Sequence, residues 1–597
     1  MLHALDAKAA DRAFYEAAAR EPECAMAWWG LAMANSENQV LARYYLEKAS
    51  TLAARGSQRE RAWVAVLERY LQEGAGEGDR RRHAVEALSR IATESPNDPE
   101  VAAFLVRQLV SNRDAGMPVP LPAAVDALIV EVLRAHPGHP IAVYRLLLWE
   151  KEQPQRVADS IEPVRRLLPG ALRVHTLAAR LYARLQRSAE AIACGRTALA
   201  LARERIAAER VGPLDVAGYV ENLDILITQL RGEGRVKEAV ALARHLIELP
   251  AVARTDESAE TDSNAMERMA GANAANAPFG SSNAEATAVG QRHLLGALLE
   301  DQRWAELEAA AKSAYCESLR TDVQGIRIHA LGVAEFARGE AGGLQAQRDA
   351  LAAVLSQARL AATGHGGGGG QRAAVLDQLQ ALGRELELYQ DLLHGAPEAR
   401  REALARRFPR SPGAAVREVA RTPGGDGAAQ GLGLAPSLAP RWSLPDQHGR
   451  RIEPMKNRPM LLVFYRGAGC PHCIEQLAAL APLTRDFEQA GLSVLGVSTD
   501  TVEGLRESYS AVGAKTALPF PLLADPALAT FRDFGAYDVR AGKALHGLFL
   551  IDARGGIRWQ SISEEPFMAV AALLAEARRT LPLWAGSPAA LAHAGAP

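Results

Sequence analysis

A chain of 597 residues is longer than one hydrophobic core supports, so it holds several domains or a repeat array with a domain attached. Apolar residues make up 48% and charged residues 23%, and 68 basic against 70 acidic side chains leave a formal charge of −2. That balance gives neither nucleic acid nor an anionic membrane surface an electrostatic reason to bind. Five cysteines in so long a chain exclude a disulfide-stapled scaffold, and no apolar run approaches the ~20 residues of a membrane span.

The N-terminal Met1-Leu2-His3-Ala4-Leu5-Asp6 has no basic end followed by an apolar core, so as written the chain reads as cytoplasmic. Helical repeats follow. Ala10, Phe14, Ala17 and Pro22 stand at an A-x3-F-x2-A-x4-P spacing. The spacing recurs at Ala84, Leu88, Ile91 and Pro96, at Val125, Ile129, Val132 and Pro137, and at Val157, Ile161, Val164 and Pro169. Offsets of three and four place each set on one helix face, and the proline stops the helix. Stacked pairs of this kind form a solenoid, so residues 1–255 are expected to be tetratricopeptide-like repeats with a protein partner in the groove; an irregular bundle is the alternative. If Ala10 to Pro22 is the second helix of a repeat, its partner lies upstream of Met1, and a chain begun further upstream would be periplasmic or secreted.

A Ser/Asn/Ala-rich stretch makes 256–290 an expected disordered insertion. Helical patterning resumes over 291–407, with a glycine hinge at 364–370, and 408–438 reads as a linker. From 439 to 585 strands and helices alternate. Met460 to Tyr465 and Leu492 to Val497 are buried strands, helices are expected around 502–512 and 527–534, and Leu548 to Asp552 with Ile557 to Gln560 form a hairpin. Pro566 opens an expected closing helix that ends near Leu581, and 586–597 is a tail. The predicted fold class is multidomain: an α-helical tetratricopeptide solenoid followed by a thioredoxin-like α/β domain, with residues 440–597 expected to fold alone.

The chemistry sits at Cys470-Pro471-His472-Cys473, between a buried strand and a helix N-terminus. Unpaired N–H groups and the helix dipole favour thiolate there, and the i, i+3 spacing lets the sulfurs meet as a dithiol or a disulfide. A closed zinc site needs four ligands; no second C-x-x-C exists, although His448 and His546 are candidates to complete one, so no metal or cofactor is assigned. Cys24, Cys194 and Cys316 read as small buried hydrophobes.

Phe464 to Cys473, Gly496-Val497-Ser498-Thr499-Asp500 and His546-Gly547-Leu548-Phe549-Leu550-Ile551-Asp552 resemble the alkyl hydroperoxide reductase/thiol-specific antioxidant branch of the thioredoxin superfamily. Ala25 to Ala32 and the segment from His139-Pro140 to Glu150 resemble bacterial tetratricopeptide proteins, some of which end in a redoxin domain. The resemblance implies a thiol or disulfide substrate and a reducing partner. It places Cys473 at the family's reactive position, Cys470 where the family has threonine, and His546 where it has arginine; the cis-proline of thioredoxin proper is absent. The Pro-His dipeptide resembles that of an oxidising disulfide catalyst, which implies that His472 stabilises the Cys470 thiolate. Three functions follow: disulfide exchange with Cys470 attacking and Cys473 resolving, a peroxidase with Cys473 peroxidatic and Cys470 resolving, or a non-catalytic interaction scaffold. His546 is expected to face the cysteine pair.

Overall fold

Proline spaces the first helices. Four of them stop two residues short of one: at Arg20 before Pro22, Glu94 before Pro96, Ala135 before Pro137 and Leu167 before Pro169. A residue preceding proline is driven from the α region. Glu21, Ser95, His136 and Leu168 accordingly share one conformation, with φ −134, −135, −133 and −128° and ψ 78, 64, 74 and 60°. Each begins the same turn, its carbonyl accepting from the amide three residues on, at Cys24, Asp98, His139 and Ala171.

The computed structural model describes residues 2–586 apart from 37, 73–75, 97, 118–120, 210, 251–282, 319, 363–368, 394–396, 409–435, 456, 512–517 and 539–541. It divides into two units, Met1–Leu201 and Ala202–Pro597. In the first, successive helices pack on one another from Ala7–Arg20 onward. Ala10, Ala84, Leu88, Ile91, Val125, Ile129, Val132, Ile161 and Val164 are buried, as helical spacing demands. Two positions differ from the sequence reading. Ala17 is exposed while Ala18 is buried, and Val157 lies in a 3-10 turn, Pro154–Ser160, rather than in the helix Ile161–Leu167. Gly30 lets two helices approach, since a Cβ there would fall 2.2 Å from the Phe14 ring.

The second unit continues with helices that include Tyr219–Gly232, Val236–Glu248, Asn283–Glu300 and Thr321–Arg338. Residues 283–290, expected within the disordered insertion, form two turns of helix, and Gly369 and Gly370 of the expected hinge open the helix Gly369–Leu392. The rest of both segments lies outside the described residues, as does 409–435 of the linker. Ser437 and Leu438, at the linker's end, already pair with the sheet: the Ile557 amide donates to the Ser437 carbonyl at 2.8 Å, and Leu438 bridges Gly556. No described helix is long and apolar enough to cross a membrane.

The C-terminal sheet is thioredoxin-like. Its strands are β1 (Leu444–Pro445), β2 (Arg451–Ile452), β3 (Met460–Tyr465), β4 (Ser493–Ser498), β5 (Leu522–Ala524), β6 (Tyr537–Asp538), β7 (Lys543–Ala544), β8 (His546–Ile551) and β9 (Ile557–Ser563). Five form the central sheet in the order β5-β4-β3-β8-β9, with β3, β4 and β5 parallel and β8 and β9 antiparallel additions. Every residue of β3 is buried, because the sheet is covered on both faces. Leu461, Val463 and Tyr465 pack with Leu477, Leu480 and Leu573 on one face; Met460, Leu462 and Phe464 pack with Phe531, Phe534 and Phe549 on the other.

The closing helix runs Val570–Gly586, later than expected at both ends. Phe567 delays its start by tucking against Trp559, its carbonyl held by Gln476 at 2.7 Å. Its far end does not finish in solvent. Trp584, only 4% exposed, donates its indole N–H to the Glu248 carbonyl at 3.0 Å. Arg579 donates to the carbonyls of Ile247 and Leu249 at 2.9 and 2.8 Å, a cationic cap on the C-terminus of Val236–Glu248. The buried Glu248 carboxylate accepts from Tyr315 at 2.7 Å and lies 3.8 Å from Arg558. The 408–438 segment therefore does not separate two modules with nothing packed between them.

Candidate active site

Three features of the fold bring the site together. β3 ends at Tyr465, a five-residue loop follows, and the helix Pro471–Leu480 begins with Cys470 as its N-cap. Proline at the first helical position needs no N–H partner there. The Cys470 Sγ accepts from the Cys473 amide at 3.3 Å, so that sulfur sits among the free N–H groups of the helix end. Because β8 runs antiparallel to β3, with Phe464 opposite Gly547, the first residue of β8 arrives beside the last of β3. That residue is His546.

Cys470 and Cys473 form a disulfide with Cα atoms 5.3 Å apart. The His546 Nε2 lies 3.0 Å from the Cys473 Sγ and 3.5 Å from the Cys470 Sγ. The backbone amide of Arg466 points at the Cys473 sulfur from 3.4 Å. Cys473 is fully buried and Cys470 only partly, so the loop side of the disulfide is the side that faces solvent. His546 is itself 3% exposed, and burial lowers its pKa below the usual imidazole value. Its Nδ1 is turned toward the backbone of Ser563 and Glu564, without a well-aligned hydrogen bond, which leaves Nε2 to the sulfurs.

His472 is placed differently from its sequence-based role. Its ring is largely exposed, and its Nδ1 pairs with the Glu565 carboxylate at 2.9 Å; the imidazole set against both sulfurs is that of His546. His448 lies exposed in the turn between β1 and β2, and the donor cluster found at the site comprises Cys470, Cys473 and His546. Cys194 and Cys316 are buried, and burial pushes their thiols up to about 11 and about 12; Cys24 is only half-buried, at a helix N-cap.

Asp500 was not singled out for a role from the sequence. Its Oδ2 accepts from the Ala468 amide at 3.0 Å and from the Ser498 hydroxyl at 3.1 Å, fixing the loop that carries Cys470. Gly467 is required beneath it: φ is +85°, and a Cβ would fall 2.4 Å from the Asp500 Oδ1. The signal was the polar end of the otherwise apolar β4, but an exchangeable carboxylate in a loop looks the same whether it clamps or is solvated.

A family model described as AhpC/TSA family matches residues 437–560. Peroxiredoxin Bcp of Escherichia coli (strain K12) is 35% identical over 131 residues, which is 21% of this chain and 81% of that protein. The chloroplastic peroxiredoxin Q of Sedum lineare is 33% identical over 101 residues, 17% of this chain and 52% of that one. Among solved structures, the peroxidoxin BcpB of Mycobacterium tuberculosis aligns at 25% identity over 24% of this chain and 96% of its own, with a TM-score of 0.22.

Proposed function

The chain belongs to the AhpC/TSA family through its C-terminal domain and is a thiol-dependent oxidoreductase; from that premise we propose that it works by disulfide exchange through Cys470 and Cys473. The observation that carries this reading is the pairing of one accessible and one buried sulfur, both against the same imidazole nitrogen. A partner thiolate attacks the Cys470 sulfur, and the bonding pair leaves on Cys473 as thiolate, beside the Arg466 amide. The partner's second thiolate then attacks the partner's sulfur of the mixed disulfide, so that the partner leaves as its disulfide and Cys470 is released as thiolate. In the direction that oxidises the dithiol, the Cys470 thiolate attacks a substrate disulfide, forming a mixed disulfide and expelling one substrate thiolate. The Cys473 thiol then gives its proton to the His546 Nε2, attacks the Cys470 sulfur and expels the substrate thiolate.

A second reading is favoured by the same Arg466 amide, which supports negative charge on Cys473. There the Cys473 thiolate attacks a peroxide oxygen, water or an alcohol leaves, and the sulfenic acid condenses with Cys470, losing water to form the disulfide. Both readings end in the same disulfide. Insulin-disulfide reduction and peroxide consumption by the full chain separate them: exchange predicts turnover in the first and little in the second, and the reverse pattern makes the protein a peroxidase.

The helical region is, on this proposal, a tetratricopeptide-type solenoid that binds a protein partner. Four identical X-Pro turns with a shared backbone conformation support the repeat, since an irregular bundle has no reason to reuse one connection. Exposed Tyr15 and Tyr44 give that unit the aromatic surface a protein partner uses. Co-precipitation with residues 1–201 removed tests it; undiminished partner capture would refute it.

A further inference from the structure

We propose that the reduced site is also a zinc site, in which the Cys470 and Cys473 thiolates and the His546 Nε2 hold one Zn²⁺ and leave a fourth position open. The proposal rests on the reading that this pair exists as a dithiol for part of its cycle, and goes beyond it.

The geometry points to this in three ways. The Sγ atoms and an imidazole nitrogen all lie within 4.8 Å of one another, at 3.0 and 3.5 Å from nitrogen to the two sulfurs. Donors on one tetrahedral zinc, with bonds of about 2.3 Å to sulfur and about 2.0 Å to nitrogen, are spaced by roughly 3.5–3.8 Å, so the imidazole nitrogen is already near ligand spacing from each sulfur, while the two sulfurs, bonded to each other here, move apart once the disulfide is reduced. The donors are also the right kind: two soft thiolates one helical turn apart and a neutral imidazole form an S₂N set that zinc prefers over oxygen-seeking cations. The imidazole's other nitrogen is turned to the backbone of β9 and the loop after it, which leaves Nε2 for the metal. Access comes last. Cys473 and His546 are buried, but Cys470 and the exposed Gly469, Pro471 and His472 border solvent, which gives the ion an entry and a water its place.

The sequence alone argued against a closed zinc site because it has no second C-x-x-C, with His448 and His546 only as candidates to complete one. The fold supplies the third ligand from a strand 73 residues away. Three protein ligands with one open position do not make a closed structural site; they make an exchangeable one. Binding converts dithiol and Zn²⁺ to the zinc dithiolate with release of two protons. No electron moves, so the metal and the disulfide compete for the same sulfurs. The oxidised protein has no thiolate to offer. Zinc would therefore hold the enzyme reduced and inactive until it is removed.

The test uses the full chain, reduced and freed of metal, then titrated with Zn²⁺ against a chromophoric chelator and with Co²⁺ for its thiolate charge-transfer band. One equivalent bound by the reduced protein and none by the disulfide form is the expected result. Bound zinc should slow alkylation of Cys470 by at least about tenfold. X-ray absorption of the zinc form should show two sulfurs near about 2.3 Å with nitrogen near about 2.0 Å. H546A should weaken binding at least about tenfold; should that variant not fold, the absorption spectrum of the unaltered protein decides alone. Equal binding by both redox forms, or a shell of nitrogen and oxygen only, overturns the proposal. Alkylation and disulfide reactivity measured on the same metal-free sample report separately on the dithiol: a reactive pair that takes no zinc refutes this inference and leaves the redox function standing.

Discussion

Replacing His546 with alanine is expected to raise the apparent pKa of the reactive dithiol by about one to two units. The His546 Nε2 sits 3.0 and 3.5 Å from the two sulfurs in a site where it is 3% exposed, so little water screens the contact. A hydrogen bond to a charged group is worth about 1.5–3 kcal/mol, and one pKa unit corresponds to about 1.4 kcal/mol. The sign follows from the proton: with the imidazole present the thiol has an acceptor and the thiolate a cationic partner, and alanine removes both. At neutral pH the thiolate population falls about 10- to 100-fold. A more basic thiolate is intrinsically more nucleophilic, with a Brønsted slope of about 0.4–0.5, which restores roughly half of the logarithm and leaves a rate loss of about 3- to 10-fold. Alkylation of the reduced protein by iodoacetamide as a function of pH measures the midpoint and the limiting rate together. A midpoint equal to that of the unaltered protein would refute the reasoning and reduce His546 to a strand-end packing residue.

Other consequences follow from burial and pairing. Trp584→Ala removes an indole buried between the closing helix and Val236–Glu248 and is expected to cost about 3–5 kcal/mol, read as a lowered denaturant midpoint of the second unit; an unchanged midpoint would mean that this contact does not hold in solution. Cys194 and Cys316, their thiols raised to about 11 and about 12 by burial, should resist a thiol reagent in the native protein and react only on unfolding. The Glu100 carboxyl is held down at about 2, chiefly by its hydrogen bond with His3 and then by His139. Its contribution to stability is whole above the ordinary carboxylate value of about 4.5 and disappears as pH falls from there toward 2. Glu100→Gln should flatten that part of the acid-unfolding curve, and parallel curves would contradict it.

Local rules carried the sequence reading a long way. Helix ends were legible at Pro22, Pro96, Pro137 and Pro169, because proline constrains the residue before it whatever the tertiary context. The buried strand β3 and the C-x-x-C after it were legible because six consecutive apolar residues and two cysteines at a helix start have few other uses. Pairing across the fold was harder to read. His546 could be placed only through resemblance, since its approach to the sulfurs depends on β8 running antiparallel beside β3. His472 is adjacent in sequence to both cysteines, yet its Nδ1 is taken by Glu565, 93 residues away. The extent of the closing helix was misjudged for a similar reason: Leu583 and Trp584 lie past Pro582, where a helix is expected to have ended, and their place in it shows only once Glu248 and Tyr315 are brought against them.

The assignment of the two sulfurs is tested most directly by mass spectrometry of Cys470→Ser and Cys473→Ser in the full chain, each exposed separately to a model disulfide and to hydrogen peroxide. The accessible sulfur at the helix N-cap should be the point of attack. Cys473→Ser is therefore predicted to accumulate a mixed disulfide on Cys470, and Cys470→Ser to trap nothing from the model disulfide. Rapid formation of a sulfenic acid on Cys473 in the Cys470→Ser protein, with no adduct on Cys470 in the other variant, would contradict disulfide exchange and assign the site to peroxide.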